Sequence, residues 1–201
     1  EDSRLMYVNA PACCAEDISK WSKPIVLYMP ILESPVIVSD QAGRLHVAYS
    51  SRETGKIHYQ RSDDGGATWT TPVALPSGTR QSDEEPIWPR LSVDGRGRIQ
   101  LVWSIIPWPG RAVMYARSDD GGDTWSDPVV IDSSNNPAYD PGYGPIVLTV
   151  NAFGDGEIHM IWDGAPTVER NHIRSADGGL TWTSPEIIFP EVTSTGRTGY
   201  N

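Results

Sequence analysis

An eight-residue pattern, S-x-D-x-G-x-T-W, occurs three times in this 201-residue sequence, at residues 62–69, 118–125 and 175–182. A proline stands three residues after each tryptophan, and successive tryptophans are 56 and 57 residues apart. A fixed period of this size is typical of stacked or radially arranged units, each of which buries its apolar face against a neighbour. The sequence therefore predicts a repeat protein.

Each residue type in the pattern suits a stapled turn between two strands. Paired glycines supply the positive φ that a tight turn needs, and the aspartate can accept hydrogen bonds from amides of its own turn. The tryptophan leads back into extended chain, where its indole can bury a large apolar area against the neighbouring unit. The predicted structural residues are Ser62, Asp64, Gly66, Thr68, Trp69, Ser118, Asp120, Gly122, Thr124, Trp125, Ser175, Asp177, Gly179, Thr181 and Trp182.

The pattern is the Asp box, or BNR repeat, and the chain resembles the Asp-box β-propellers, of which the sialidase (neuraminidase) superfamily is the best-known branch. Three full matches at near-constant spacing carry this resemblance. It implies an all-β fold, a β-propeller of four-stranded antiparallel blades, with six blades in a complete ring. In that family the Asp box lies away from the active site, so the motif predicts the fold and says little about chemistry.

The repeat also predicts how the chain is divided into blades. On a period of about 57 residues, six blades need about 340 residues, so this chain holds three whole blades plus half a blade. We expect further blades or a second copy to close the ring. First strands are predicted at residues 36–39, 91–94 and 146–150. The predicted segments are a half blade at 1–32, blades at 33–76, 77–132 and 133–189, and a linker to a next blade at 190–201.

Composition excludes several classes of partner. The formal charge of -10 and the acidic pI near 4.7 argue against binding to nucleic acid or to an anionic membrane surface. The sequence contains no apolar run long enough to span a bilayer. The four histidines show no metal-ligand spacing, and His46 and His159 occupy the same repeat position, so strand packing is expected and no metal or cofactor is predicted. The adjacent Cys13 and Cys14 predict two free thiols or one intermolecular link.

The loops that differ between repeats predict where a ligand binds. In an up-and-down blade the Asp-box turns share one face with the turns between strands 1 and 2, and the remaining loops and linkers share the other face, which varies in length and content. Six of the eight tryptophans occupy repeat positions and are expected in the core, whereas Trp88 and Trp108 fall in loops of the variable face. Charged and aromatic residues of the same loops include Arg80, Asp83, Tyr139, Asp163, Glu169 and Arg170.

Aromatic rings beside arginines and carboxylates suit a sugar, especially an acidic sugar whose carboxylate an arginine can hold with two hydrogen bonds. Ordinary solvated loop residues would show the same composition. The predicted binding residues are Trp88, Arg90, Trp108, Arg111 and Tyr143.

The resemblance implies a specific catalytic set, which the sequence does not show in full. Sialidases use three arginines on the substrate carboxylate, a tyrosine nucleophile activated by a glutamate, and an aspartate as acid/base. The early Arg-Ile-Pro signature of the family is absent, and the nearest match is Pro89-Arg90-Leu91 at a first strand. By position alone, the catalytic candidates are Arg90, Glu84, Glu85, Asp140, Arg197 and Tyr200.

Two functional hypotheses follow from these features. The first is an extracytoplasmic sialidase-like propeller, secreted or held at the cell surface or in the periplasm, that engages glycans on its variable face. It would act as an exo-sialidase-like glycoside hydrolase or as a binding module that has lost catalysis. The alternative is a non-enzymatic propeller that docks on a protein partner in a larger assembly. Propellers serve both purposes, so the fold does not decide between them.

Overall fold

The computed structural model describes residues 3–32, 35–76, 78, 84–106, 112–133, 147–150, 156–163 and 170–188, of which 147–150 and 163 are described by their backbone. These residues are all-β apart from two short 3-10 turns, Ala12–Cys14 and Ile18–Lys20. They form one two-stranded and three four-stranded antiparallel sheets. The strands are β1 Leu5–Tyr7, β2 Ile25–Tyr28, β3 Val36–Ser39, β4 Leu45–Ser51, β5 Lys56–Ser62, β6 Val73–Ala74, β7 Glu85–Val93, β8 Ile99–Ile106, β9 Ala112–Ser118, β10 Val129–Ser133, β11 Val147–Val150, β12 Ile158–Asp163, β13 Arg170–Ser175 and β14 Glu186–Ile188.

Strands follow one another in chain order within every sheet, which we number sheet 1 (β1–β2) to sheet 4 (β11–β14). The prediction of an all-β chain built from four-stranded antiparallel sheets is confirmed for sheets 2 to 4. One first strand is longer than predicted: β7 begins at Glu85, six residues before the predicted start at Leu91. The extension follows from the sequence Glu85-Pro86-Ile87, whose apolar residues are buried opposite the end of β8.

The sheets pack face to face through three hydrophobic clusters. Each cluster includes one fully buried aromatic residue from β4, β8 or β12: Tyr49 between sheets 1 and 2, Trp103 between sheets 2 and 3, and Trp162 between sheets 3 and 4. The first strands β3 and β11 both lie against β7. The first strands of sheets 2, 3 and 4 therefore lie side by side, which is consistent with a propeller-like fold.

The repeated turns have the hydrogen bonds that their sequence predicts. Ser62 Oγ accepts a hydrogen bond from the Gly66 amide at 2.8 Å and donates to Asp64 at 2.8 Å. Asp64 then accepts from the Thr68 amide at 2.8 Å and the Thr68 hydroxyl at 2.6 Å. The same bonds recur around Asp120 and Asp177. The aspartate therefore links the two ends of its own turn through hydrogen bonds.

These hydrogen bonds predict that the protein loses stability in acid. The Thr68 hydroxyl, followed by its amide, lowers the pKa of Asp64 to about 2. Partial burial raises the pKa of Asp120, but the hydrogen bonds from Thr124 and Ser118 outweigh it and hold that pKa at about 2 as well. In the unfolded chain the pKa of these carboxyls is about 3.9. Their stabilisation is therefore complete above about pH 4 and is lost as the pH falls from about 4 towards 2.

The measurement for this prediction is urea denaturation at a series of pH values from neutral to acid. We expect the Asp64→Asn variant to lose part of the acid dependence seen in the native sequence. The exposed Asp127, which lies outside the turns, provides the matched variant Asp127→Asn. If both variants kept the same pH dependence as the native protein, the turn carboxylates would not be responsible for it.

In sheets 1 to 3, a tyrosine contacts the turn of the next sheet. The Tyr7 hydroxyl donates to the Gly65 carbonyl at 3.1 Å, and the Tyr59 hydroxyl donates to the Gly121 carbonyl at 3.3 Å. Each ring also meets the tryptophan of that turn edge-on, at centroid distances of 5.2 Å for Tyr7 with Trp69, 5.0 Å for Tyr59 with Trp125 and 4.9 Å for Tyr115 with Trp182. The turns are therefore part of the contact between sheets as well as local staples.

One tryptophan that was predicted in the core is exposed. Trp69, Trp125 and Trp182 pack against the hydrophobic clusters, but Trp21 is 43% exposed. The prediction was wrong for Trp21 because no described sheet lies on its outer side, where a tyrosine of a preceding sheet covers the other three.

Candidate functional site

Four of the predicted site residues lie together in the described part of the chain, at the start of β7. They are Glu84, Glu85, Trp88 and Arg90. The other predicted binding or catalytic residues lie outside the described residues: Trp108, Arg111, Asp140, Tyr143, Arg197 and Tyr200. The same holds for Arg80, Asp83, Tyr139 and Glu169, while Arg170 is exposed at the start of β13, opposite Asp163.

The most unusual backbone of the described residues is at Trp88. Along β7, Ile87 pairs with Ser104 and Arg90 pairs with Val102, so Trp88 and Pro89 together face Trp103. This is a β-bulge, and Pro89 fits it because a bulged residue needs no ladder hydrogen bond. Trp88 has φ 53, the only non-glycine residue with a positive φ in the described ranges. The prediction that Trp88 lies in a loop was wrong, because the bulge keeps it inside a paired strand.

The left-handed backbone conformation of Trp88 in a bulge of β7 needs a physical explanation. Positive φ costs a bulky residue about 1–3 kcal/mol, and a glycine would remove that cost. Bulges near functional sites serve to redirect a side chain. Trp88 is half-buried, so its indole keeps a solvent-accessible surface on which a ligand could stack.

Arg90 follows the bulge and is also half-buried. Its guanidinium Nη1 donates a hydrogen bond to the carbonyl of Pro89 at 2.9 Å. This bond uses one of five guanidinium donors and fixes the head group beside the bulge. Of the two carboxylates at the strand start, Glu84 is 7% exposed and Glu85 is exposed. The site therefore combines an aromatic ring, a cation and two carboxylates within seven residues of sequence.

The sequence reasoning missed two buried hydroxyls at the same end of the sheets. Ser50 and Ser104 are 0% and 1% exposed, and neither Oγ has a hydrogen-bond partner among the described residues. Ser104 pairs with Ile87, directly beside the bulge. The available signal was positional: Ser50, Ser104 and Asp163 each follow the buried aromatic residue of a second strand. A polar residue at the same position of three repeats suggests a shared role at this edge.

Metal binding and membrane insertion find no support in the described residues. No group of three or more His, Cys, Asp or Glu side chains there could hold a metal ion, and no helix there is long and apolar enough to cross a bilayer. His46 and His159 share one register position, opposite Arg61 and Arg174. His46 is fully buried and lies 2.7 Å from the Tyr59 hydroxyl. Burial lowers its pKa, which fits the predicted packing role. Cys13 and Cys14 are both free thiols.

Comparison with solved structures identifies the fold. A Hadza microbial sialidase superposes with a TM-score of 0.54 at 23% identity, over 74% of this chain and 36% of its own. A leech intramolecular trans-sialidase gives 0.56 at 15% identity, over 74% and 42%. The chain has a sialidase-like fold. A PL25 ulvan lyase, solved with a bound -[GlcA(1-4)Rha3S]- oligosaccharide, superposes on this chain with a TM-score of 0.63 at 15% identity, over 94% of this chain and 50% of its own.

This chain spans half or less of the length of those three structures. In sequence, no protein-family model matches it, and no curated protein matches it. The resemblance is therefore one of sialidase-like fold.

Proposed function

We propose that this chain is part of an extracytoplasmic, sialidase-like six-bladed propeller that binds an acidic glycan at the start of β7. Trp88 stacks on a sugar ring, and Arg90 holds a carboxylate of the glycan. The bulge at Trp88 carries this proposal, because a strained aromatic residue beside a half-buried arginine has no evident use in packing.

Two further features support an acidic carbohydrate as the ligand. Aromatic faces and arginines are the groups that bind sugars and carboxylates. The proteins that share the fold include sialidases and an ulvan lyase bound to an oligosaccharide that contains GlcA. Trp108, Arg111 and Tyr143, which the sequence predicts as binding residues, complete the site in this proposal. Glu84 and Glu85, with Asp140, Arg197 and Tyr200, are its candidate catalytic groups.

Replacing Arg90 by alanine is expected to weaken binding of acidic glycans at least about tenfold, because a hydrogen-bonded charge pair is lost. The melting temperature should change little, since Arg90 is half-buried and the only described hydrogen bond of its side chain is to its neighbour Pro89. The measurement is a glycan-array screen followed by titration with the best sialoside or uronic-acid oligosaccharide. Arg96→Ala, in the turn at the opposite end of β7, is the control.

Glycan binding and glycan hydrolysis can be tested separately. Turnover of a fluorogenic sialoside would show that the chain is a hydrolase, whereas binding without turnover would identify a binding module. If Arg90→Ala and Arg96→Ala bound every acidic glycan equally well, the site at β7 would be wrong. If the folded protein bound no glycan at all, docking on a protein partner would become the better hypothesis.

A further inference from the structure

The contact between sheets 2 and 3 and the contact between sheets 3 and 4 are built alike but differ at one buried position. In each contact, a tyrosine of the third strand meets the turn of the next sheet: Tyr59 from β5 and Tyr115 from β9. A residue of the second strand hydrogen-bonds to that tyrosine hydroxyl within the sheet. It is His46 at the first contact and Gln100 at the second. One contact therefore contains a titratable ring where the other contains a neutral amide.

The surroundings of these two positions are otherwise the same. Both side chains are fully buried, and each lies opposite an arginine of the third strand. In the turn before each second strand, an aspartate pairs with the arginine four residues later, at 2.6 Å in both turns. These pairs are Asp40 with Arg44 and Asp94 with Arg98. The repeat thus provides a comparison within one chain for what the histidine adds.

The hydrogen bonds of Tyr59 determine which ring nitrogen of His46 carries the proton. The Tyr59 hydroxyl has one proton, which it donates to the Gly121 carbonyl at 3.3 Å. The Nδ1 atom of His46, 2.7 Å from the same hydroxyl oxygen, is therefore the donor of that bond. The other ring nitrogen, Nε2, has no hydrogen-bond partner among the described residues. A second proton on His46 would therefore be added at Nε2.

A charge on His46 would lie beside a carboxylate that is already paired. The Nε2 atom is 3.4 Å from Asp40 Oδ2, and the same oxygen accepts a hydrogen bond from Arg44 Nε at 2.6 Å. On the other side, β3 places the apolar Val38 in register with His46. Burial lowers the pKa of His46, and the attraction of Asp40 for the charged form does not outweigh it.

The remaining charged groups around His46 come from β5 and from sheet 3. Arg61, in register with His46, lowers the pKa of the imidazole further and pairs at 3.0 Å with Asp63 and with Asp123 of the next turn. The strand of sheet 3 that packs against β4 is β7, and Asp94 of the turn after it pairs with the arginine four residues later. Each of these carboxylates already pairs with an arginine, so a charged imidazole gains little compensation from them.

We propose that His46 makes the contact between sheets 2 and 3 sensitive to pH. The contact is closed while the imidazole is neutral and loosens when the imidazole is protonated. Loosening lets water reach Nε2 and hydrate the charge, and it withdraws Tyr59 from the turn of sheet 3. The contact between sheets 3 and 4 does not respond in this way, because Gln100 carries no titratable group. This behaviour is independent of the proposed glycan site.

The pH range follows from the two states of His46. In the opened contact its pKa is about 6.5, as in an unfolded chain, and in the closed contact burial lowers the pKa. The opened contact therefore binds more protons in acid. The closed contact is fully favoured above about pH 6.5 and loses stability as the pH falls below that value. The aspartates of the repeated turns respond only below about pH 4, so the two effects occupy different ranges.

Hydrogen exchange of the backbone amides of residues 118–126 tests this proposal, because these amides form the hydrogen bonds of the turn that Tyr59 contacts. Protection factors at about pH 7.5 and pH 5.5 are compared, which corrects for the intrinsic pH dependence of exchange. In the native sequence we expect protection to fall by about three- to tenfold, the range open to a group whose pKa is about 6.5 in the opened contact. His46→Gln, which copies the residue at position 100, should remove this fall.

The variant His58→Gln separates this contact from the general effect of a buried histidine in sheet 2. Burial lowers the pKa of His58 as well. Its ring, however, lies 5.0 Å from that of Tyr28 and 5.7 Å from that of Tyr49, in the contact between sheets 1 and 2. His58→Gln should therefore leave the pH response of residues 118–126 unchanged.

The variant Gln100→His is the converse experiment. It should make the protection of residues 175–183, the turn that Tyr115 contacts, fall between the same two pH values. NMR titration of the His46 ring in the native sequence needs no substitution, and we expect a midpoint below about pH 6.5. A midpoint at or above that value would overturn the proposal. So would constant protection of residues 118–126 in the native sequence, or a fall that His46→Gln left intact.

Discussion

Replacing Gly122 by alanine is expected to destabilise the protein by about 2–5 kcal/mol. Gly122 has φ +99, a conformation that costs an alanine about 1–2 kcal/mol. The new Cβ would also overlap the ring and hydroxyl of Tyr59, which donates to the Gly121 carbonyl from the preceding sheet. Overpacking of this kind costs about a further 1–3 kcal/mol, since the tyrosine must leave its position.

Gly43 provides the control that separates these two contributions. It has a similar φ of +80, but a Cβ there would meet nothing within 4 Å. Gly43→Ala should therefore cost only the backbone part, about 1–2 kcal/mol. The measurement is urea denaturation of both variants at neutral pH. Equal losses would show that the tyrosine contact between sheets contributes nothing to the requirement for glycine at position 122.

The turn pattern predicted much of this fold because its chemistry is local. Glycine φ angles and aspartate hydrogen bonds are determined within eight residues, so the sequence of residues 62–69 was enough to predict its staple. The strands between turns were predictable for the same reason, since their ends are fixed by the turns. The turn in sheet 1 could not be predicted from the eight-residue pattern. Residues 13–20 lack the pattern, yet Trp21 keeps the hydrogen bond of Trp69.

Contacts between distant residues could not be predicted in the same way. That Trp88 sits in a bulge depends on how β7 pairs with β8, which no local pattern encodes. That Trp21 is exposed depends on which sheet lies outside it. The use of a tyrosine from one sheet to fill the glycine turn of the next joins residues about 60 positions apart. Its signal, a tyrosine three residues before the turn serine, is visible only once the contact is known.

Replacing Trp103 by alanine is expected to cost about 3–5 kcal/mol of folding free energy. Its side chain is fully buried and belongs to the cluster that joins sheets 2 and 3, with Ile57, Leu91 and Met114. A loss of this size is a large fraction of the about 5–15 kcal/mol that stabilises a typical domain. Trp103→Phe keeps an aromatic ring and should cost less, while Trp21→Ala, at an exposed position, should change monomer stability little.

Substitutions of Trp103 are also expected to weaken glycan binding at the proposed site, although Trp103 is fully buried. Trp103 is the single residue of β8 that faces both Trp88 and Pro89 across the bulge. A cavity there removes the support that holds Trp88 at its positive φ, so the strand can relax into regular pairing. Glycan titration of the folded Trp103→Phe variant tests this coupling. Weaker binding without unfolding would show that the buried ring positions the exposed one, and unchanged binding would show that the bulge is held by β7 alone.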